Sequence, residues 1–234
     1  MYVPATLALP VTPLSQAGVL ATQPPTGAAL AGVPTTQPPA GEVAAVVPAP
    51  SGPLRTALHV RGADLNVLVG RSATITGTLM PRLADQRVVL QLRARHGWRT
   101  VVGTHTGARG RYRLHLRTRA LGSRAARVLF AGDAQARSSH RRLGSINVFR
   151  LAGASWYGGG GTMACGGWLT SSTLGVANKT LPCGTLVTLR YDGHTVRVPV
   201  VDRGPYVAGR EFDLTEATKR ALGFEGTGEV WATD

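Results

Sequence analysis

The sequence predicts an all-β protein in three parts: a proline-rich segment (1–54), a β-sandwich (55–150) and a small closed β-barrel with one short helix (151–234). Three observations predict it. Residues 55–150 hold short runs of alternating apolar and polar residues, spaced about ten residues apart and separated by Gly, Asp and Pro. Residues 151–234 hold further short runs, many glycines and a single helical pattern. The first 54 residues contain 11 of the 15 prolines and show no periodicity.

The first part has no Lys or Arg and one acid, Glu42. A stretch such as TTQPPAGEVAAVVPAP buries too little apolar surface to offset its ordering entropy, so it reads as a disordered, semi-extended linker. A secretory signal needs a basic start and an unbroken apolar core. MYVPATLALPVTPL has neither, so an exported protein of this sequence is expected to carry its signal upstream of Met1. No run reaches the roughly 20 apolar residues of a membrane span.

The middle part holds 19 arginines against three acids, Asp64, Asp85 and Asp133. SATITGTL, RVVLQLRA, WRTVVGTH, RYRLHLRT, ARVLFAG and SINVFR are its strand candidates, and they predict an antiparallel sandwich of immunoglobulin type. GWRTVVGTHTGARGRYRLHL resembles the bacterial Ig-like repeats of surface proteins. Arg111, Arg113 and Arg117 alternate along one strand, which fits a solvated sheet face or an electrostatic footprint for an anionic polymer. Helix-turn-helix, zinc and RNP signatures are missing, so nucleic acid is set aside in favour of cell-wall polyanions.

The last part is nearly neutral, with seven basic residues and eight acids. TLVTLRY and HTVRVPVVD flank Asp192-Gly193, a two-residue hairpin turn. LTEATKRALGF has helical spacing at Leu214, Ala217, Ala221 and Leu222, and Gly223 can end the helix. Two carboxylates, Asp202 and Asp213, each follow a strand-like run. Taken alone, Asp213 can be a helix cap completed by Glu216, with Thr215 as a rival. Asp202 can pair with Arg203 or Arg210 and brace its loop. Cys165 and Cys183 can form a disulfide, remain two buried thiols or bind a metal. His194 is the part's single histidine, which makes a poor zinc site. A disulfide requires Cα atoms about 4.4–6.8 Å apart and agrees with an oxidising exterior.

ASWYG (154–158), GVANKTLPCGTLVTL (175–189) and VPVVDRGPYVAGREFDLTEATKRALGF (198–224) together resemble the RlpA-like (rare lipoprotein A) double-psi β-barrel family. The resemblance implies a six-stranded double-psi barrel with a polysaccharide groove. Relatives include peptidoglycan lytic transglycosylases and the expansins, which loosen wall glycans. It places the family's DRGP aspartate on Asp202 and the aspartate of its second element on Asp213, as catalytic candidates. The family's histidine before KTLP falls on Asn178, which cannot transfer a proton at neutral pH. An upstream acid carried by some members has no counterpart in ACGGWLTSST.

Asn178, Arg203, Tyr206, Trp156 and Tyr157 are the expected glycan contacts, the aromatics by stacking. No metal or cofactor is implied. The expected function is lytic cleavage of the MurNAc–GlcNAc bond of peptidoglycan by an Asp acid/base, outside the membrane. The alternative is an expansin-like module that binds and loosens glycan without cleaving it.

Overall fold

The computed structural model describes residues 52–234, and the proline-rich segment read as a linker lies outside them apart from its last three residues. Leu54, one of those three, forms a bridge to Ala136. The chain is all-β with a single helix among the described residues.

The strands in chain order are β1 (Ala57–Ala63), β2 (Asn66–Leu68), β3 (Ser72–Met80), β4 (Arg87–Ala94), β5 (Gly97–His105), β6 (Arg111–Arg117) and β7 (Gly122–Phe130). β8 (Ser139–Tyr157) follows, then β9 (Gly161–Thr162), β10 (Trp168–Leu169) and β11 (Val176–Ala177). β12 (Leu186–Tyr191), β13 (His194–Asp202), β14 (Phe212–Thr215), helix α1 (Glu216–Leu222) and β15 (Gly228–Ala232) complete the chain.

β1, β3 and β6 form one antiparallel sheet. β8, β7, β4 and β5 run antiparallel in a second, and β2 joins it parallel to β8. Alternation decides which residues each sheet buries. In β3, Ala73, Ile75 and Leu79 point inward; in β4, Val88 and Leu90 do; in β6, Tyr112 and Leu114 do. These side chains meet in one core between the sheets.

β8 does not stop with that core. Its 19 residues run unbroken through positions 150 and 151 and supply a barrel strand at their far end. Ala152 and Ala154 enter a second core with Val187, Leu189, Val198, Val200, Phe212 and Leu214. The ring of pairings runs β14–β11–β13–β12–β15–β8 and closes through β14 with β8. Six strands therefore form a barrel without a free edge. At the Asp192-Gly193 turn, Tyr191 and His194 pair, as the hairpin pattern predicts.

The two cores are fastened together beyond β8 itself. Ser123 and Thr188 share a 2.8 Å hydrogen bond, and the Phe149 and Trp231 rings lie 5.7 Å apart.

Helix α1 is capped by Thr215, whose hydroxyl accepts from the Thr218 amide, and ends on Gly223 at φ 65°. That left-handed conformation suits glycine. Leu214 is fully buried in the barrel core just before the helix. Leu214→Ala is expected to lower stability by about 2–5 kcal/mol. Val207→Ala, at an exposed loop position, should change it by about 0.5 kcal/mol or less. Denaturant melts of both variants check the contrast.

Candidate functional site

β14 places Asp213 by alternation. Phe212 and Leu214 are buried in the barrel core, so the carboxylate between them projects to the outer face. In register, Asp213 lies beside Ser155 of β8 on one side and Ala177 of β11 on the other. Ala177 in turn pairs with Asp202 of β13. Residues directly opposite in adjacent strands share a face. Asp202, Ala177, Asp213 and Ser155 thus form one row across four strands, with the small Ala177 between the carboxylates.

The two aspartates have unlike surroundings. Ser155 Oγ donates to Asp213 Oδ1 at 2.8 Å. Asp213 is half-buried, and that burial is the main reason its carboxyl rises above its ordinary 3.8. The Ser155 bond and the charge of Arg210 oppose the rise, while the charge of Asp202 adds to it. Asp202 is held by the backbone: its Oδ1 accepts from the Ala164 and Arg203 amides, each at 2.8 Å.

Tyr157 follows Ser155 by two residues and shares its face of β8. Its hydroxyl is buried and lies toward Asp202 without a well-formed hydrogen bond. Burial raises the phenol's pKa most; Asp202, by its charge and by hydrogen bonding, and then the charge of Asp213 raise it further, so both carboxylates lie near this O–H.

Asp213 is not a helix cap. It sits in β14 and bonds Ser155, while Thr215 caps α1 and Glu216 pairs with Arg220 at 2.6 Å. Asp202 makes no ion pair with Arg203 or Arg210; it takes the Arg203 amide instead.

The expected glycan contacts divide. Tyr157 joins the row, but Trp156 projects from the other face of β8 and stacks under Lys219 at 4.2 Å. Asn178 is buried, and its carboxamide is engaged on both ends. Nδ2 donates to Glu211 O at 3.0 Å, and Oδ1 accepts from the Thr180 and Leu181 amides. Arg203 donates to Asn178 O, Leu181 O and Cys183 Sγ at 2.8–3.1 Å. Both residues tie down the loop beside Asp202. Tyr206 is 81% exposed on the loop after Asp202. Cys165 and Cys183 form a disulfide with Cα atoms 5.5 Å apart.

Two side chains that no motif marks are Ser155 and Trp168. Ser155 looked like an ordinary strand residue, although alternation with Ala152 and Ala154 marks it as outward-facing. Trp168, 64% exposed in the β9–β10 hairpin, carried no motif. Among the described residues no group of three or more His, Cys, Asp or Glu could hold a metal ion.

Residues 151–231 match the family model described as lytic transglycolase. Over 82 residues the chain is 42% identical to the probable endolytic peptidoglycan transglycosylase RlpA of Aquifex aeolicus, covering 33% of this chain and 36% of that protein. The counterpart with the same name from a Synechocystis species is 40% identical over 91 residues, covering 36% and 28%. Residues 151–231 form an RlpA-like double-psi β-barrel domain. The endolytic peptidoglycan transglycosylase RlpA of Rickettsia bellii is 36% identical over 83 residues, covering 32% and 37%. The chain thus spans about a third of the length of these curated relatives. Among solved structures, Streptomyces papain inhibitor is similar at 26% identity and a TM-score of 0.31, covering 36% of this chain and 92% of that one.

The double-psi barrel gives two predictions. A carboxyl whose folded pKa is raised binds more protons in the folded than in the unfolded state, so stability falls as pH rises from 3.8 through the folded value. The penalty is complete once the pH exceeds the folded value. Asp213→Asn should therefore fold normally and melt at a higher temperature than the parent at pH 7. The gain should vanish near about pH 3, where the parent carboxyl is also neutral. Paired calorimetric scans check both. Replacing Cys165 and Cys183 by Ser opens a loop of 17 intervening residues and should cost roughly 3 kcal/mol, measurable by denaturant melts against the oxidised parent.

Proposed function

We propose that the barrel binds peptidoglycan glycan strands and cleaves the MurNAc–GlcNAc bond as a lytic transglycosylase, outside the membrane. The observation that carries this reading is Asp213: a half-buried carboxyl with a raised pKa, in line with a second aspartate. A general acid near neutral pH needs such a carboxyl. The names of the similar proteins support the same substrate.

Protonated Asp213 gives its proton to the glycosidic oxygen as the bond to the muramic C1 breaks. The resulting carboxylate takes the proton of the muramic C6 hydroxyl, whose oxygen closes on C1 as a 1,6-anhydro ring. The enzyme returns to its starting protonation state and water is not consumed. Ser155 holds the acid's orientation. Tyr157 donates its O–H to the sugar, and Asp202 adds negative charge that favours the protonated form of Asp213. Tyr206 and Trp168 supply exposed aromatic surface for sugar rings. The arginine-rich sandwich contacts anionic polymer in the same wall.

A second reading, binding and loosening without cleavage, draws on Asn178. The family's histidine position here holds a buried amide already engaged by the chain.

Digestion of purified sacculi, with mass spectrometry for anhydro-muropeptides, separates the two. Release of these products by the parent is expected. Asp213→Asn should reduce it by about 10²-fold or more, the worth of general acid–base catalysis, and Tyr157→Phe by a smaller factor. Binding to sacculi with no anhydro product from the parent would establish the loosening reading. Undiminished release by Asp213→Asn would remove Asp213 from the chemistry.

A further inference from the structure

The sandwich carries a feature that its net charge does not describe. On the outer face of the β1–β3–β6 sheet, the middle strand presents Ser72, Thr74, Thr76 and Thr78. Their registered partners on β6 are Arg117, His115, Arg113 and Arg111. On the other side, His59 of β1 pairs with Thr78, and Arg61 occupies the bulge between Val60 and Gly62. The short hydroxyl side chains therefore form a floor between two ridges of long basic ones. Alternate residues on β6 stand about 7 Å apart, so its four bases span roughly 20 Å.

At one end the floor deepens into a cleft of about 460 Å³ bounded by His59, Arg61, Arg82, Arg109 and Arg111. Arg109 lines it from a left-handed backbone, φ 64°, which few non-glycine residues adopt. Held strain of this kind clusters at ligand clamps.

An ordinary solvated face mixes charges. Here strands β1, β3 and β6 contain no Asp or Glu. Both ion pairs among the described residues involve barrel acids, Glu211 and Glu216. None of Arg61, Arg82, Arg109, Arg111, Arg113 and Arg117 donates a side-chain hydrogen bond to another described residue. The opposite sheet differs: Arg127 and Arg93 stack on Trp98 at 4.5 and 5.8 Å, and Arg127 also donates to Gln91 at 2.9 Å.

We propose that this hydroxyl-floored channel binds one strand of a phosphodiester-linked wall polymer, and so anchors the protein beside its glycan substrate. Phosphate is the preferred anion because its oxygens can meet an arginine fork on the ridge and a threonine hydroxyl on the floor together. The choice of a wall polymer rests on the peptidoglycan reading of the barrel.

The test uses the full chain and isolated walls, untreated or stripped of phosphodiester-linked polymer with hydrofluoric acid. One variant combines Arg111→Gln, Arg113→Gln and Arg117→Gln. A control removes the same charge from the opposite sheet with Arg93→Gln, Arg99→Gln and Arg124→Gln. The channel variant should bind untreated walls at least about tenfold more weakly. Its log–log salt slope should be shallower by about two to three. The control should stay near the parent, and on stripped walls parent and channel variant should bind alike. Equal losses in both variants would overturn the channel, as would parent binding and salt slope unchanged by stripping. Displacement by single-stranded RNA at lower phosphate concentration than by the released wall polymer would also overturn it. A parent that fails on stripped walls while the channel variant still loses untreated-wall binding would sink the peptidoglycan reading and leave the channel standing.

Discussion

Everything at the site depends on how β14 closes the barrel. This four-residue strand lies parallel to β8 and antiparallel to β11, and its register brings residue 213 beside residue 155. Phe212 and Leu214 fix its orientation by burial, and Thr215 fixes its end. Thr215 Oγ1 donates to Thr173 O at 2.6 Å, and both Thr215 and Thr218 hydroxyls lie within hydrogen-bond reach of the Gly175 backbone. These groups are buried, so each lost bond would strand a polar atom away from water. A one-residue slip would turn Asp213 into the core and Leu214 out. The Asp213 row and the hydrophobic core are thus one constraint seen from two faces.

The second carboxylate is held differently, and the difference matters chemically. Asp202 ends a long strand and is gripped by two amides, one of them in the segment that leads into Cys165. The disulfide ties that segment to Cys183, and the Arg203 guanidinium ties Cys183 back to the residue after Asp202. Asn178 closes the same knot through Glu211 and Leu181. Asp202 is held by backbone amides at the end of its strand; Asp213 lies within a strand and is half-buried. Two carboxyls in unlike environments can divide an acid's work from a positioning role.

Much of the fold was legible because alternation is a strong signal over eight or nine residues. The strands β3, β4, β5 and β6 follow the sequence patterns closely, and the helix ends on Gly223 as its pattern predicts. Two-residue strands such as β9, β10 and β11 have no period to read. β8 was seen only in its middle, because glycines at 144 and 153 break a pattern that the backbone carries through. At the site, the motifs located both aspartates, whereas the neighbours needed the register. Ser155 is chemically bland until β14 lies beside it. Trp156 and Tyr157 were read as a pair, although adjacent strand residues face opposite ways. The family resemblance marks Asn178 as a glycan contact, and the register alone does not show that its side chain also bonds Glu211, Thr180 and Leu181.

The continuity of β8 gives the two halves a mechanical relation that a flexible tether would not. Arg150 and Leu151 pair with Ala232 and Trp231 of the barrel, while Ile146 and Asn147, a few residues earlier, pair with β7 of the sandwich. Ser123 with Thr188, and Phe149 with Trp231, stiffen the same junction. If the cationic channel holds one wall polymer and the barrel another, the second contact becomes intramolecular. Its effective concentration is then set by this fixed span and not by linker length. A rigid span helps only when the two polymers lie at a matching separation. The same junction that strengthens binding where anionic polymer and glycan run side by side would weaken it where they do not. On that proposal the charge asymmetry between a strongly basic sandwich and a near-neutral barrel would select position within the wall, and the barrel would need no charge of its own to find a glycan.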